Sequence, residues 1–190
     1  MSDKQASREP GAEASSDTIT LGGGCFWCTE AVFSALDGVL AVESGYCNGE
    51  VVKPSYEQVC TGETGHAEVV RVRFDPHRIA LADLLEIFLA THDPTTLNRQ
   101  GHDVGTQYRS GIYVHNDEQA AVARQVLAAM AAQFDAPLVT EVEPERNYWP
   151  AEGYHQGYYA QHPHAGYCAF VISPKLAKLR QGFAARLRRG

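Results

Sequence analysis

The feature that most constrains the fold of this chain is a change of hydrophobic period around three consecutive glycines. Residues 18–21 alternate between polar and apolar side chains, a pattern that predicts a β-strand. Residues 26–36 follow the glycines with the spacing of a helix that stops at Asp37 and Gly38. Because glycine reaches backbone conformations that are closed to other residues, the strand can turn into the helix and direct the intervening Cys25 outward.

The rest of the chain intersperses strands and helices without strict alternation. We expect strands at 39–46, 66–74, 111–115 and 138–142, and helices at 79–91, 117–134 and 173–189. Residues 1–16 are polar and lack periodicity, so we expect a disordered tail followed by a single domain over 17–190. This order predicts an α+β fold, a two-layer sandwich with a mixed, ferredoxin-like β-sheet and flanking helices.

Composition argues against several classes of function. The formal net charge of −7 argues against nucleic acid or an anionic membrane as the main partner. No window approaches the ~18 apolar residues of a membrane span, and residues 1–17 lack the apolar run of a signal peptide. Five cysteines at irregular spacing do not form the framework of a secreted, disulfide-rich protein. A reducing cytoplasm is therefore the expected location.

Cys25 directly precedes the predicted helix, so the N-terminus of that helix faces its sulfur. Unpaired N–H groups and the positive end of the helix dipole favour a thiolate, so we expect a lowered pKa for Cys25. Phe26 and Trp27 place two large apolar side chains beside the thiol. This combination predicts a nucleophile that attacks a small, partly apolar group.

Cys28 completes a C-x-x-C spacing with Cys25, and three kinds of site use that spacing. A zinc site needs a second clustered pair, whereas Cys47 and Cys60 stand thirteen residues apart. A general dithiol oxidoreductase would use Cys25 and Cys28 as its redox pair. A non-enzymatic, redox-sensing module is the third alternative, and the spacing alone does not decide among them.

Glu68 shares a face of its predicted strand with Val70, Val72 and Phe74. A carboxylate on an inward face is unusual, because burial disfavours its charge. One interpretation is a structural carboxylate paired with an arginine or capped by backbone amides. The other is a carboxylic acid kept protonated by burial and ready to donate its proton.

A long loop over residues 92–109 supplies further candidates, since such loops in compact domains are more often functional than idle. Asp103 lies in this loop, where turn chemistry alone would explain it. Tyr56 and Tyr108 would bind a polar oxygen if their hydroxyls point into a pocket. The eight histidines form no H-x-x-x-H or H-E-x-x-H pair, which argues against a metalloenzyme.

Several segments resemble the signature segments of the peptide-methionine sulfoxide reductase A family. They are Gly24-Cys-Phe-Trp, Pro54-Ser-Tyr-Glu-Gln-Val-Cys, Thr64-Gly-His-Ala-Glu-Val-Val, Gly105-Thr-Gln-Tyr-Arg-Ser, Ala151-Glu-Gly-Tyr-His-Gln and Ser173-Pro-Lys. The resemblance runs in order from about residue 18 to residue 180. It implies thiol-dependent reduction of methionine (S)-sulfoxide, free or in proteins, on an α+β sandwich.

The resemblance also implies roles for individual residues. Cys25 is expected to be the nucleophile and Glu68 the acid. Phe26 and Trp27 are expected to form the pocket for the substrate methyl group. The sulfoxide oxygen, or a water beside it, is expected to be held by Tyr56, Asp103 and Tyr108. Thioredoxin or a similar dithiol would recycle the enzyme, and the chemistry needs no metal or organic cofactor.

The chain departs from the commonest family pattern at the thiols that would regenerate Cys25. The position after Trp27 is often glycine but is Cys28 here, and Cys168 precedes Ala-Phe-Val-Ile-Ser-Pro instead of a glycine-rich tail. A disulfide between Cys25 and Cys28 would strain the first helical turn, since disulfides demand specific Cα and Cβ placement. We therefore expect Cys168 to resolve the sulfenic acid, with Cys28 as a relay or backup.

Overall fold

The computed structural model describes residues 15–189, apart from the side chain of Cys168. The strands are β1 (Asp17–Gly22), β2 (Val39–Cys47), β3 (Ala67–Phe74), β4 (Arg99–Gln100), β5 (Asp103–Val104), β6 (Gly111–Val114), β7 (Glu141–Pro144) and β8 (Trp149–Pro150). The helices are α1 (Phe26–Ser34), α2 (Tyr56–Cys60), α3 (Leu81–Thr91), α4 (Asp117–Met130), α5 (Tyr158–Gln161) and α6 (Ser173–Gly182). The predicted disordered tail, residues 1–16, lies outside the described residues except for its last two positions.

Six strands form one sheet in the order β7-β6-β1-β3-β2-β8. Strand β3 is antiparallel to both β1 and β2, β6 is antiparallel to β1, and β7 is parallel to β6. The segments β1-α1-β2 and β3-α3-β6 each skip one strand, which gives the middle four strands the ferredoxin-like order β6-β1-β3-β2. The predicted α+β sandwich with a mixed, ferredoxin-like sheet is confirmed.

The main core lies between one face of this sheet and the layer of helices. Strand β3 sends Val70, Val72 and Phe74 into that core, as its alternating pattern predicted. The helices α1, α3, α4 and α6 contribute buried side chains to the same core, including Met130 at the end of α4, which is 9% exposed. The opposite face of the sheet carries a smaller buried cluster that contains Cys47.

Several element ends differ from the sequence prediction. Strand β7 begins at Glu141 instead of residue 138, because the N–H of Val139 donates to the carbonyl of Pro94 in another loop. Helix α4 ends at Met130 and passes into a short 3₁₀ turn, and α6 ends at Gly182. Sequence periodicity continues past these points, but tertiary contacts and local backbone turns end the regular elements.

Candidate active site

The turn between β1 and α1 places Cys25 at the N-cap of α1, with φ −58° and ψ 125°. A Cβ at Gly23 would lie 2.9 Å from the ring of Phe88, and one at Gly24 would lie 2.6 Å from the side chain of Gln100. Gly24 also has a φ of +92°, which L side chains rarely adopt. The glycines are therefore required both by the turn and by the close packing of α3 and its following loop.

Cys25 is nearly buried, with 9% of its surface exposed. Burial raises the pKa of Cys25 well above its ordinary value, and the hydrogen bond with Cys28 and the charge of Glu68 act in the same direction. The backbone N–H of Trp27 opposes them and is the smallest contribution. The lowered pKa expected from the sequence is wrong for this structure, because desolvation outweighs what the helix N-terminus offers.

Cys28 shows the opposite preference. Its hydrogen bond with Cys25 lowers the pKa of Cys28 to about 7 despite burial, and the charge of Lys175 and the Tyr167 hydroxyl also lower it. The Sγ atom of Cys28 lies 3.6 Å from the Tyr167 hydroxyl oxygen. The opposite shifts mean that a negative charge is more stable on Cys28 than on Cys25.

Glu68 is buried on β3, with 1% of its surface exposed. Its Oε1 accepts a hydrogen bond from the N–H of Phe26 at 3.2 Å, and its Oε2 has no hydrogen-bond partner among the described residues. Burial raises the pKa of Glu68 to about 8 against the effect of that N–H. Since none of the arginines in residues 15–189 forms an ion pair with it, Glu68 carries a proton at neutral pH.

The aromatic residues that follow Cys25 pack against other rings. Phe26 is fully buried and stacks against Tyr56 at a centroid distance of 6.3 Å. Trp27 is half-buried, stacks on Tyr158 at 3.8 Å, and donates from Nε1 to Nδ1 of His155 at 3.0 Å. The site therefore has an aromatic wall, which we define as Phe26, Trp27, Tyr56, His155 and Tyr158.

The capping of α2 positions Tyr56 in this wall. Ser55 is the N-cap, and its side chain accepts from the N–H of Gln58 while the Gln58 side chain accepts from the N–H of Ser55. Tyr56 is the first residue of the helix that this box begins. The ring of Tyr56 then lies 4.3 Å from the ring of His155.

Asp103 and Tyr108 also reach the site, from the loop between α3 and β6. Tyr108 is half-buried, and burial together with the charges of Glu68 and Asp103 raises its pKa. The carboxylate of Asp103 accepts a hydrogen bond from the hydroxyl of Tyr167 at 2.9 Å. The structure thus brings Cys25, Cys28, Glu68, Phe26, Trp27, Tyr56, Asp103 and Tyr108 into one region.

A cleft of about 1050 Å³ opens at the two cysteines. Its lining includes Cys25, Cys28, Asp103, Tyr167 and Lys175, whereas the aromatic wall lies outside it. The cysteine pair therefore borders the aromatic wall and also opens into this separate cleft.

Cys168 begins a π-helical turn, Cys168–Ile172, directly after Tyr167. The backbone of this candidate resolving cysteine therefore follows a residue that contacts both Cys28 and Asp103. Of the remaining cysteines, Cys47 is buried in the cluster on the opposite face of the sheet, and Cys60 is exposed at the end of α2.

Sequence reasoning missed four residues that contact the site: His155, Tyr158, Tyr167 and Lys175. His155 is buried, and burial lowers its pKa, so its neutral Nδ1 accepts from Trp27. The available signals were the segments Ala151-Glu-Gly-Tyr-His-Gln and Ser173-Pro-Lys and the position of Tyr167 next to Cys168. These segments follow Trp27 by more than a hundred residues, so local periodicity does not connect them with it.

Within residues 15–189, no group of three or more His, Cys, Asp or Glu side chains is placed to hold a metal ion. None of the helices in the same range is long and apolar enough to cross a membrane.

A buried pair of thiols whose pKa values shift in opposite directions, set beside a protonated carboxyl group and an aromatic wall, defines a thiol-dependent redox site. Residues 17–187 match the family model described as peptide methionine sulfoxide reductase. The chain therefore belongs to the peptide methionine sulfoxide reductase family.

Individual relatives and solved structures agree with this assignment. Peptide methionine sulfoxide reductase MsrA of Ralstonia nicotianae is 55% identical over 177 residues, which cover 90% of this chain and 93% of that protein. An MsrA of Thermus thermophilus is 53% identical over 172 residues, which cover 90% of this chain and 98% of that protein. The crystal structure of reduced Mxr1 from Saccharomyces cerevisiae superimposes with a TM-score of 0.78 at 36% identity, covering 86% of this chain and 94% of that one.

Proposed function

We propose that this protein reduces methionine (S)-sulfoxide, free or within proteins, to methionine, with Cys25 as the nucleophile. The observation that carries the proposal is the hydrogen bond from the N–H of Phe26 to Glu68, which ties a protonated acid to the residue next to the thiol. An acid and a nucleophile held together in this way can act on a single S–O bond.

The sulfoxide sulfur becomes a good electrophile when its oxygen receives a proton. Glu68 donates that proton while the sulfur of Cys25 attacks, and the Glu68 carboxylate then takes the proton that Cys25 releases. The attack forms an S–S bond between Cys25 and the substrate sulfur. The protonated oxygen then moves to the Cys25 sulfur while the S–O and S–S bonds to the substrate sulfur break, which leaves Cys25 as a sulfenic acid. Methionine leaves as the two-electron reduced product.

The side chains around Cys25 supply a separate subsite for each substituent of the sulfoxide. Phe26 and Trp27 would hold the methyl group, because these aromatic residues directly follow Cys25 in the chain. Tyr56, Asp103 and Tyr108 would hold the sulfoxide oxygen or a water beside it. Sulfoxide sulfur is chiral, so with both groups held only one epimer presents its sulfur to Cys25.

A second thiol must then remove the sulfenic acid. The Cys28 thiol acts directly on the pKa of the Cys25 thiol, and Cys25 is the non-helical N-cap of α1, outside the helical turn that holds Cys28. In place of direct attack by Cys168, which the sequence led us to expect, we therefore favour the relay: Cys28 condenses with Cys25, releasing water, and Cys168 next attacks the Cys28 sulfur. The contact of Cys28 with Tyr167, the residue before Cys168, supports this order.

The resulting disulfide would be reduced by thioredoxin or a similar dithiol through thiol–disulfide exchange. A yeast Mxr1 structure in complex with Trx2 supports this partner, since it resembles the present chain with a TM-score of 0.55 at 27% identity. We assign the catalysis to residues 17–190 and the protein to the cytoplasm, where its thiols would stay reduced. Fractionation of the source cells tests that location.

The proposed function is tested with the two separated epimers of dabsyl-methionine sulfoxide and dithiothreitol as the reductant. We expect the S epimer to be converted to the sulfide and the R epimer to remain. Reduction of unrelated disulfides without any loss of either epimer would identify a general dithiol oxidoreductase instead. Reversible thiol oxidation without turnover would identify a redox-sensing module.

A further inference from the structure

A lysine on α6 faces the second cysteine of the site. Lys175 and Cys28 line the same small cavity between α1, α3 and α6. The other residues of this cavity are Gly23, Thr29, Val32, Phe88, Thr91 and His92. Burial lowers the pKa of His92 to about 4, so His92 is neutral and Lys175 is the cation in this lining.

Lys175 has no competing partner within residues 15–189. The ion pairs among residues 15–189 are formed by arginine and histidine side chains. The Lys175 ammonium also takes part in none of the side-chain hydrogen bonds among these residues. The side chain is half-buried. Lys178, on the same helix, is exposed and lines the larger cleft but not the small cavity.

The other titratable groups that act on Cys28 do not favour a negative charge there, apart from the Cys25 thiol and the Tyr167 hydroxyl, which contribute through hydrogen bonding and carry no positive charge. Asp103 opposes ionisation of Cys28 through its own charge. Glu68 is protonated at neutral pH. A positive charge that stabilises a thiolate on Cys28 must therefore come from Lys175.

We infer that Lys175 is the counter-ion of a Cys28 thiolate, a positioning residue that prepares Cys28 to attack the sulfenic acid on Cys25. In that step an S–S bond forms, the S–O bond of the sulfenic acid breaks, and the leaving hydroxide takes the proton that Glu68 received from Cys25 and becomes water. Only this step rests on the proposed function, because the ionic state of Cys28 is a property of the resting protein. A nearby ammonium favours thiolate over thiol, and partial burial strengthens its effect.

The first test measures the ionisation of Cys28 directly. Iodoacetamide alkylation is followed across pH by mass spectrometry of the peptide that contains Cys28, in the full chain. Lys175→Met keeps an apolar stem and removes the charge, Lys175→Gln is a second neutral variant, and Lys178→Met is the matched control. We expect a midpoint near pH 7 in the parent and in Lys178→Met, and a higher midpoint in both Lys175 variants.

A shift of one pH unit would lower the thiolate fraction at pH 7 by about fivefold. Lys175→Arg should restore the parent midpoint, because it restores the charge. An unchanged midpoint in Lys175→Met and Lys175→Gln, or an equal shift in Lys178→Met, would overturn the inference.

The second test follows one turnover with methionine (S)-sulfoxide by rapid acid quench. In Lys175→Met, we expect methionine release to stay within about twofold of the parent rate while disulfide formation slows about fivefold at pH 7 and recovers at higher pH. Equal slowing of both steps would assign Lys175 to the overall shape of the site and contradict the inference. Failure of every variant to release methionine would contradict the proposed function, and the alkylation midpoints would still decide the role of Lys175.

Discussion

The N–H of Phe26 donates a hydrogen bond to Oε1 of Glu68 over 3.2 Å. Phe26 directly follows Cys25, and Glu68 lies on β3, so this contact joins the turn that carries the thiol to the strand that carries the acid. The other oxygen of Glu68 has no hydrogen-bond partner among the described residues and is the atom available to carry the proton. The contact therefore holds the Glu68 carboxyl group next to the backbone of the turn that carries the thiol.

Cys25→Ser should abolish reduction of methionine sulfoxide and leave the fold intact. A hydroxyl is a far weaker nucleophile than a thiol, and serine fits the N-cap position of α1. Stopped assays with dithiothreitol measure the loss, and circular dichroism checks the fold. The matched control is Cys47→Ser, because Cys47 is buried on the opposite face of the sheet. Retention of a tenth of the parent rate, a cut-off we set arbitrarily, would contradict the assignment.

Glu68→Gln should slow the first turnover by about 10²–10⁴-fold, the usual contribution of general acid catalysis. The amide preserves the shape of the side chain but has no acidic proton to give. In the parent, the acid form is present below the Glu68 pKa of about 8 and is lost as the pH rises through that value. Rapid-quench rates should therefore fall above pH 8 in the parent and show no such fall in Glu68→Gln. Equal first-turnover rates in both proteins would make Glu68 a structural residue.

Trp27→Ala should lower kcat/KM for the S epimer by about 10–200-fold, the range for lost apolar contacts in a binding pocket. The substitution removes the stack on Tyr158 and the hydrogen bond to His155, so the methyl subsite loses a wall. Trp149→Ala is the control, because Trp149 lies on β8 and its Nε1 donates to Asn147. Similar losses in the two variants would indicate general destabilisation and exclude a specific methyl subsite.

Cys168→Ser should release one methionine per enzyme but turn over poorly with thioredoxin. In the relay, this variant stops at a disulfide between Cys25 and Cys28, and small thiols should partly restore turnover by direct exchange. Cys28→Ser should instead prolong the sulfenic acid on Cys25, which dimedone labelling detects. If Cys168→Ser cycles normally with thioredoxin, Cys25 and Cys28 form the complete working couple.

The sequence predicts the parts of this site that depend on short-range patterns. The two-residue period of β3 places Glu68 on the same face as Val70, and this is confirmed. The change from strand to helix around the glycines correctly places Cys25 at the start of α1. Both results follow from geometry that repeats within a few residues.

The electrostatics of the cysteines could not be predicted in the same way. The direction of the Cys25 pKa depends on desolvation, which is a property of the packed core and not of the helix N-terminus alone. Tyr167 reaches Cys28 across a sequence separation of 139 residues, and His155 reaches Trp27 across 128. Contacts of this range leave no periodic signal in a single sequence.

The position of Met130 in the core has a consequence for an enzyme that works among oxidants. The chain has two methionines, Met1 and Met130, and Met130 is the one that the structure describes. Oxidation of a thioether creates a polar sulfoxide that disrupts apolar packing, but the side chain of Met130 is largely shielded from solvent by its neighbours. Residues 15–189 thus expose little thioether to solvent, and this part of the chain is a poor substrate for a second copy of the enzyme.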